Sequence, residues 1–177
     1  MRCLLDKNIT RLTATALLVA PRRPLSPMEQ GALTFWHMAV QSNVELFLPY
    51  TTASVLSRLT DYAEARAILA SARVLLPGRY TRRWARRIRE TTGLTREDST
   101  ILSLGAFGTD QIGNSLGVHV IGTYDQALIN GYTHHMPELA RRLQKMTTHL
   151  QAPFAAVALP KVATPHEIVT QMLDYPH

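Results

Sequence analysis

The chain has 177 residues, of which 46% are hydrophobic and 18% charged. That is enough apolar material for one α/β domain with a full core. A formal charge of +6 and a pI near 9.9 point to an anionic partner, nucleic acid first. The single cysteine, Cys3, excludes an internal disulfide and fits a reducing cytosol. No apolar run is long enough to span a bilayer, and Asp6 and Lys7 interrupt any secretory core, so the expectation is a cytoplasmic protein with no membrane partner.

Cys3-Leu4-Leu5 is a short apolar run ending at Asp6 and reads as the first central strand. A helix is expected over 10–19, closed by Pro21 and Pro24. Ser26-Pro27-Met28-Glu29 is a capping box with proline at the first helical position, opening a helix to about Gln41 with Leu33, Trp36 and Val40 at core spacing. Leu46-Phe47-Leu48 reads as a second buried strand, stopped by Pro49. The segments 51–59 and 62–75 read as a helical hairpin, with Ala65, Ile68, Leu69 and Ala72 as an apolar stripe. Pro77-Gly78 breaks it, and 79–91 reads as a helix with Tyr80, Trp84 and Ile88 on one side.

The segment 95–128 is the most informative. It opens as a helix with Asp98 in the first turn and Ile101, Leu102 and Gly105 on the same face. It loops through Gly108, Gly113 and Gly117 into a buried strand over 118–121, which ends in Thr123-Tyr124-Asp125. Further on, Pro137 is expected to begin a helix with Leu139, Leu143, Met146 and Leu150 inward. The segment 154–159 reads as a last strand stopped by Pro160, and Thr164-Pro165-His166-Glu167 caps a final helix. Strands alternating with helices predict a parallel sheet of about four to five strands covered on both faces, in one domain over 1–177.

Asp6, Asp98 and Asp125 each fall where a strand ends or a helix begins. If those ends meet at one edge of the sheet, their oxygens form a hard anionic pocket suited to Mg²⁺ or Mn²⁺, which would orient a water against a phosphodiester. Each aspartate also has a plainer reading, as a helix cap or turn residue. Arg79, Arg82, Arg83, Arg86, Arg87 and Arg89 surround Trp84 on one helix. Arginine forks suit phosphates, whereas Trp84 reads as core, and the alternative for the arginines is a solvated face. The histidines His37, His119, His134, His135, His149, His166 and His177 lack metal-ligand spacing, and no glycine-rich phosphate loop follows the first strand.

The blocks LLDKN (4–8), GLTREDSTILSLGAFG (93–108) and VIGTYDQAL (120–128) resemble those of PIN-domain proteins, and the resemblance extends to TPHEIV (164–169). It implies a three-layer α/β/α Rossmann-like PIN fold. It also implies a Mg²⁺- or Mn²⁺-dependent endoribonuclease acting on RNA, often the toxin of a toxin–antitoxin pair. By that resemblance Asp6, Asp98 and Asp125 hold the metal and carry catalysis, with Asn8 and Thr123 as polar supporters. Arg82, Arg83, Arg86 and Arg87 would contact the nucleic acid, an acidic antitoxin-like protein would be a partner, and the chain would form a homodimer. One departure stands out: where the family carries a glutamate after the second strand, this chain reads Ala53-Ser54-Val55. Glu45 precedes that strand, and Asp110 lies in a later loop. The competing reading is therefore a catalytically weak or silent PIN-like module that binds RNA or a partner protein.

Overall fold

A computed structural model describes residues 1–42 and 44–174; His177 lies outside the described residues. Six strands form one sheet in the order β4-β3-β2-β1-β5-β6. The central strand β1 (Arg2–Leu5) pairs in parallel with β2 (Glu45–Pro49) on one side and β5 (Val120–Gly122) on the other. Beyond them lie β3 (Ala72–Pro77) and β6 (Lys161–Ala163), both parallel, while the two-residue β4 (Gly108–Thr109) closes one edge antiparallel to β3. The α/β class and the mostly parallel sheet agree with the sequence reading; the sheet has six strands rather than four to five.

Alternation along the strands divides the interior into two cores. Leu4, Phe47, Leu75, Ile121 and Val162 face a core completed by Trp84 and Ile88 of α5 (Thr81–Thr92), Leu102 and Phe107 of α6 (Arg96–Phe107), and Tyr132 and Leu143 of α7 (Gln126–Thr147). Cys3, Leu5, Leu46, Leu48 and Val120 face the other, built with Ile9 of α1 (Lys7–Val19), Phe35 and Trp36 of α2 (Pro27–Gln41), Leu56 of α3 (Tyr50–Ser57), Ile68 of α4 (Ala63–Ser71) and Ile168 of α8 (Pro165–Asp174). Both faces of the sheet are thus buried, which is why the strands read as continuous apolar runs.

Four expectations are corrected. The helix of 62–75 stops at Ser71, and 72–77 is β3: the alanine-rich helical stripe runs straight into the apolar run Val74-Leu75-Leu76, and period alone does not separate the two. The last strand is not 154–159; a single 3-10 turn occupies Phe154–Ala156, and β6 follows Pro160, which sits before a strand as readily as after one. Helix α7 begins at Gln126, capped by Asp125, and passes through Pro137 rather than starting there. In α2 the buried stripe is Ala32, Phe35, Trp36 and Ala39; of the expected positions Trp36 is buried, Leu33 packs half-buried against the core, and Val40 is exposed. The capping boxes at Ser26 and the β1, β2 and α5 assignments stand.

Candidate functional site

The strand order reverses direction at β1, between β2 and β5, and the carboxyl ends of β1 and β5 meet there. Asp6 follows β1 directly and caps α1, which is why that helix begins at Lys7 rather than near Thr10. Its side chain is buried. Oδ1 accepts from the Lys7 backbone N–H at 2.7 Å, and Oδ2 accepts from the Thr123 hydroxyl at 2.8 Å and from Asn8 Nδ2 at 3.3 Å. Burial pushes the Asp6 carboxyl above its ordinary value, and the bonds from Thr123 and the Lys7 backbone, with the Lys7 charge, offset part of that rise.

Thr123 is fully buried at the end of β5 and joins two of the expected acids. While donating to Asp6, its Oγ1 accepts the Asp125 backbone N–H at 3.0 Å. Asp125 in turn caps α7, accepting from Leu128 N at 3.0 Å. Asn8 and Thr123 therefore act on Asp6 as hydrogen-bond donors.

Asp98 has a different setting. Thr95 caps α6, and Asp98 exchanges two hydrogen bonds with it: its N–H donates to Thr95 Oγ1 at 3.1 Å, and its Oδ2 accepts from the same hydroxyl at 2.6 Å. The helix presents two stripes. Leu102 and Gly105 lie over the sheet, where a Cβ on Gly105 would come within 2.9 Å of Ile121 Cδ1, so α6 approaches β5 closely. Glu97, Thr100, Ile101 and Leu104 line a cavity instead. The acid that reaches Asp6's surroundings is thus Glu97, which forms an ion pair with Lys7 Nζ. That bond to Glu97 raises the Lys7 ammonium above its ordinary value, assisted by the charges of Asp6 and Asp98. Lys7 and Glu97 are the site residues the sequence reading missed; both lie inside the quoted blocks, next to the acids singled out.

Among the described residues no group of three or more His, Cys, Asp or Glu side chains could hold a metal. Both oxygens of Asp6 already receive protein donors, and the nearby cation is the ammonium of Lys7. Ser54 is exposed on α3, its carbonyl taken by the Ser57 hydroxyl. Glu45 pairs with Arg2 and Arg73 at the opposite edge of the sheet, and Asp110 folds its own loop by accepting from Ile112 N, Asn114 N and Asn114 Nδ2.

Helix α5 carries the basic surface. Thr81, Trp84 and Ile88 are its buried side, with Trp84 edge-on to Phe107 at 6.3 Å, so the tryptophan is core and offers no face to a base. Arg82, Arg83, Arg86 and Arg89 are exposed and Arg87 is half-buried. Only Arg86 has a carboxylate partner, Glu90 at 3.6 Å; among the described residues Arg82, Arg83, Arg87 and Arg89 have none within 4.0 Å. No helix of the described residues is long and apolar enough to cross a membrane. No family model matches the chain, and no curated protein is significantly similar to it.

Proposed function

We propose that this chain is a catalytically silent PIN-like module, of the three-layer Rossmann-like kind, that binds RNA through the outer face of α5. The observation that carries the reading is the set of α5 arginines, of which Arg82, Arg83, Arg87 and Arg89 have no carboxylate partner among the described residues, opposite a side buried by Trp84 and Ile88. Unpaired guanidinium groups on a rigid helix are preorganised for phosphate oxygens, and of the four proposed contacts only Arg86 has an ion pair to give up, with Glu90. The same surface suits an acidic antitoxin-like protein, which would compete with RNA for it.

A metal-dependent endoribonuclease stands second. It is favoured by the hydrogen-bonded link from Asp6 through Thr123 to Asp125 at the switch point of the sheet. It needs Asp6, Asp98 and Asp125 around one Mg²⁺ or Mn²⁺, and the engaged oxygens of Asp6 and the exposed Ser54 weigh against that. Fluorescence anisotropy with a labelled single-stranded RNA, followed by gel analysis of the same samples, separates the readings. The binding module retains RNA intact in EDTA and in Mn²⁺ alike, and loses affinity when Arg82, Arg83, Arg86 and Arg87 become glutamine. Mn²⁺-dependent cleavage that disappears in Asp98→Asn would establish the nuclease instead.

A further inference from the structure

A cavity of about 830 Å³ opens beside Asp6, between α1, α3 and α6. Its wall has an aliphatic part, Ala14 of α1, Val55 and Leu56 of α3, Leu59 just beyond, and Ile101 and Leu104 of α6, with threonines of the same three helices between them. Val55 is 59% exposed and Leu59 42%, and the two lie on one side of the cavity mouth as accessible apolar surface. The size is that of a small-molecule site, and an apolar surface interrupted by charged and hydroxyl groups can hold both the body and the head of such a ligand.

The charged lining residues set the ligand's charge. Lys7, Arg11 and Arg96 line the cavity with Asp6 and Glu97. Lys7 is committed to Glu97, whereas Arg11 and Arg96 are exposed and have no carboxylate within 4.0 Å among the described residues. Two unpaired guanidinium groups favour an anion. The nearby carboxylates of Asp6 and Glu97 disfavour a dianion more than a monoanion, because repulsion scales with the ligand's charge. The wall also discriminates against a nucleotide: Tyr50 is its one aromatic residue, and the deep surface offers branched alkyl groups in place of a stacking platform.

We propose that this cavity binds a small aliphatic monocarboxylate, its chain against Ala14, Leu56, Ile101 and Leu104 and its head between Arg11 and Arg96. The site is separate from the arginine face of α5 and does not depend on the RNA reading.

The test is isothermal titration calorimetry of the full chain with decanoate kept below its micellar concentration. Saturable one-site binding is expected, with no heat from acetate and no competition by decyltrimethylammonium. Converting Arg11 and Arg96 together to glutamine should weaken binding by about tenfold or more through loss of the charge-assisted contacts. Val55→Asp, at an exposed position where folding is not at risk, should weaken it at least as much by placing a carboxylate in the wall. Arg82→Gln with Arg83→Gln serves as the charge-matched control and should leave affinity unchanged. Equal weakening in that control, indifference to Val55→Asp, or equal binding of the decyl cation would overturn the proposal. So would binding to phosphatidylcholine vesicles with none to monomeric decanoate.

Discussion

Thr123→Val is the most revealing single substitution at the sheet edge. Thr123 is fully buried and makes two bonds that valine cannot: it donates to Asp6 Oδ2 at 2.8 Å and accepts from Asp125 N at 3.0 Å. A hydrogen bond to a charged group contributes roughly 1.5–3 kcal/mol and a neutral one about 1 kcal/mol. The expected loss at neutral pH is therefore about 2.5–4 kcal/mol, which for a domain of this size is a fall in Tm on the order of 5–15 °C. The penalty should depend on pH. In the wild type Asp6 binds its proton more readily folded than unfolded, so its contribution is fully present below 3.8 and is lost as pH rises through the folded value. Valine removes a donor that holds the carboxylate charged and pushes that folded value further up. The difference between Thr123→Val and wild type should then be largest near pH 7.5 and shrink as the pH is lowered toward 4. Thermal and urea melts of both proteins, with Asp6→Asn and the double variant closing a cycle, measure this directly. A Tm change under about 1 °C, or a penalty equal at both pH values, would refute the assignment of Thr123 as the partner that stabilises ionised Asp6.

Three other outcomes follow. Adding 10 mM Mn²⁺ should move the melting temperature by no more than about 1 °C, whereas a site at hundredfold excess over its dissociation constant would add about 2.7 kcal/mol, or roughly 5–11 °C. Glu29 is buried at the start of α2, where it accepts from both terminal nitrogens of Arg23's guanidinium at 2.7 and 3.0 Å and from Ser26 N, and its carboxyl is held at about 2. Its stabilisation is present above 4.5 and lost as pH falls toward 2, so Glu29→Gln should flatten the acid limb of a urea-melt pH series. At Gly78 a Cβ would lie 2.2 Å from the Phe107 carbonyl oxygen, and Gly78→Ala should destabilise by about 2 kcal/mol or more in a chemical melt, since backbone rather than a flexible side chain must move.

Much of the architecture is legible in the chain because local and long-range signals agree. Cys3-Leu4-Leu5 before Asp6, Leu46-Phe47-Leu48 before Pro49 and the capping box at Ser26 each combine an apolar pattern with a chemical stop or start. Strand β3 was hidden because Ala65, Ile68, Leu69 and Ala72 continue a helical stripe into an apolar run that supports either structure. The start of α7 is hard to place because Pro137 is itself a strong start signal, while Asp125, the actual cap, fits a turn or a metal ligand equally well by residue type.

The site was harder to read for a rotational reason. Adjacent residues in the first turn of α6 point about 100° apart, so Glu97 bonds the Lys7 ammonium directly while Asp98 acts on it only through its charge. The first turn contained the right kind of residue, and only the docking of α6 against Ile121 decides that Glu97 meets Lys7 while Asp98 turns to Thr95. The basic helix was legible because its buried side, Trp84 and Ile88, is spaced at a full turn and leaves the arginines outside.

The most direct test of the account is the salt dependence of RNA binding. Each phosphate contact to a single strand contributes a slope of about −0.7 in log K against log salt. Between 50 and 200 mM salt, glutamine at Arg82, Arg83, Arg86 and Arg87 together should reduce the magnitude of that slope by roughly 2–3 and weaken binding without regard to sequence. A slope and affinity equal to those of the wild type would contradict the assignment of α5 as the RNA-binding face.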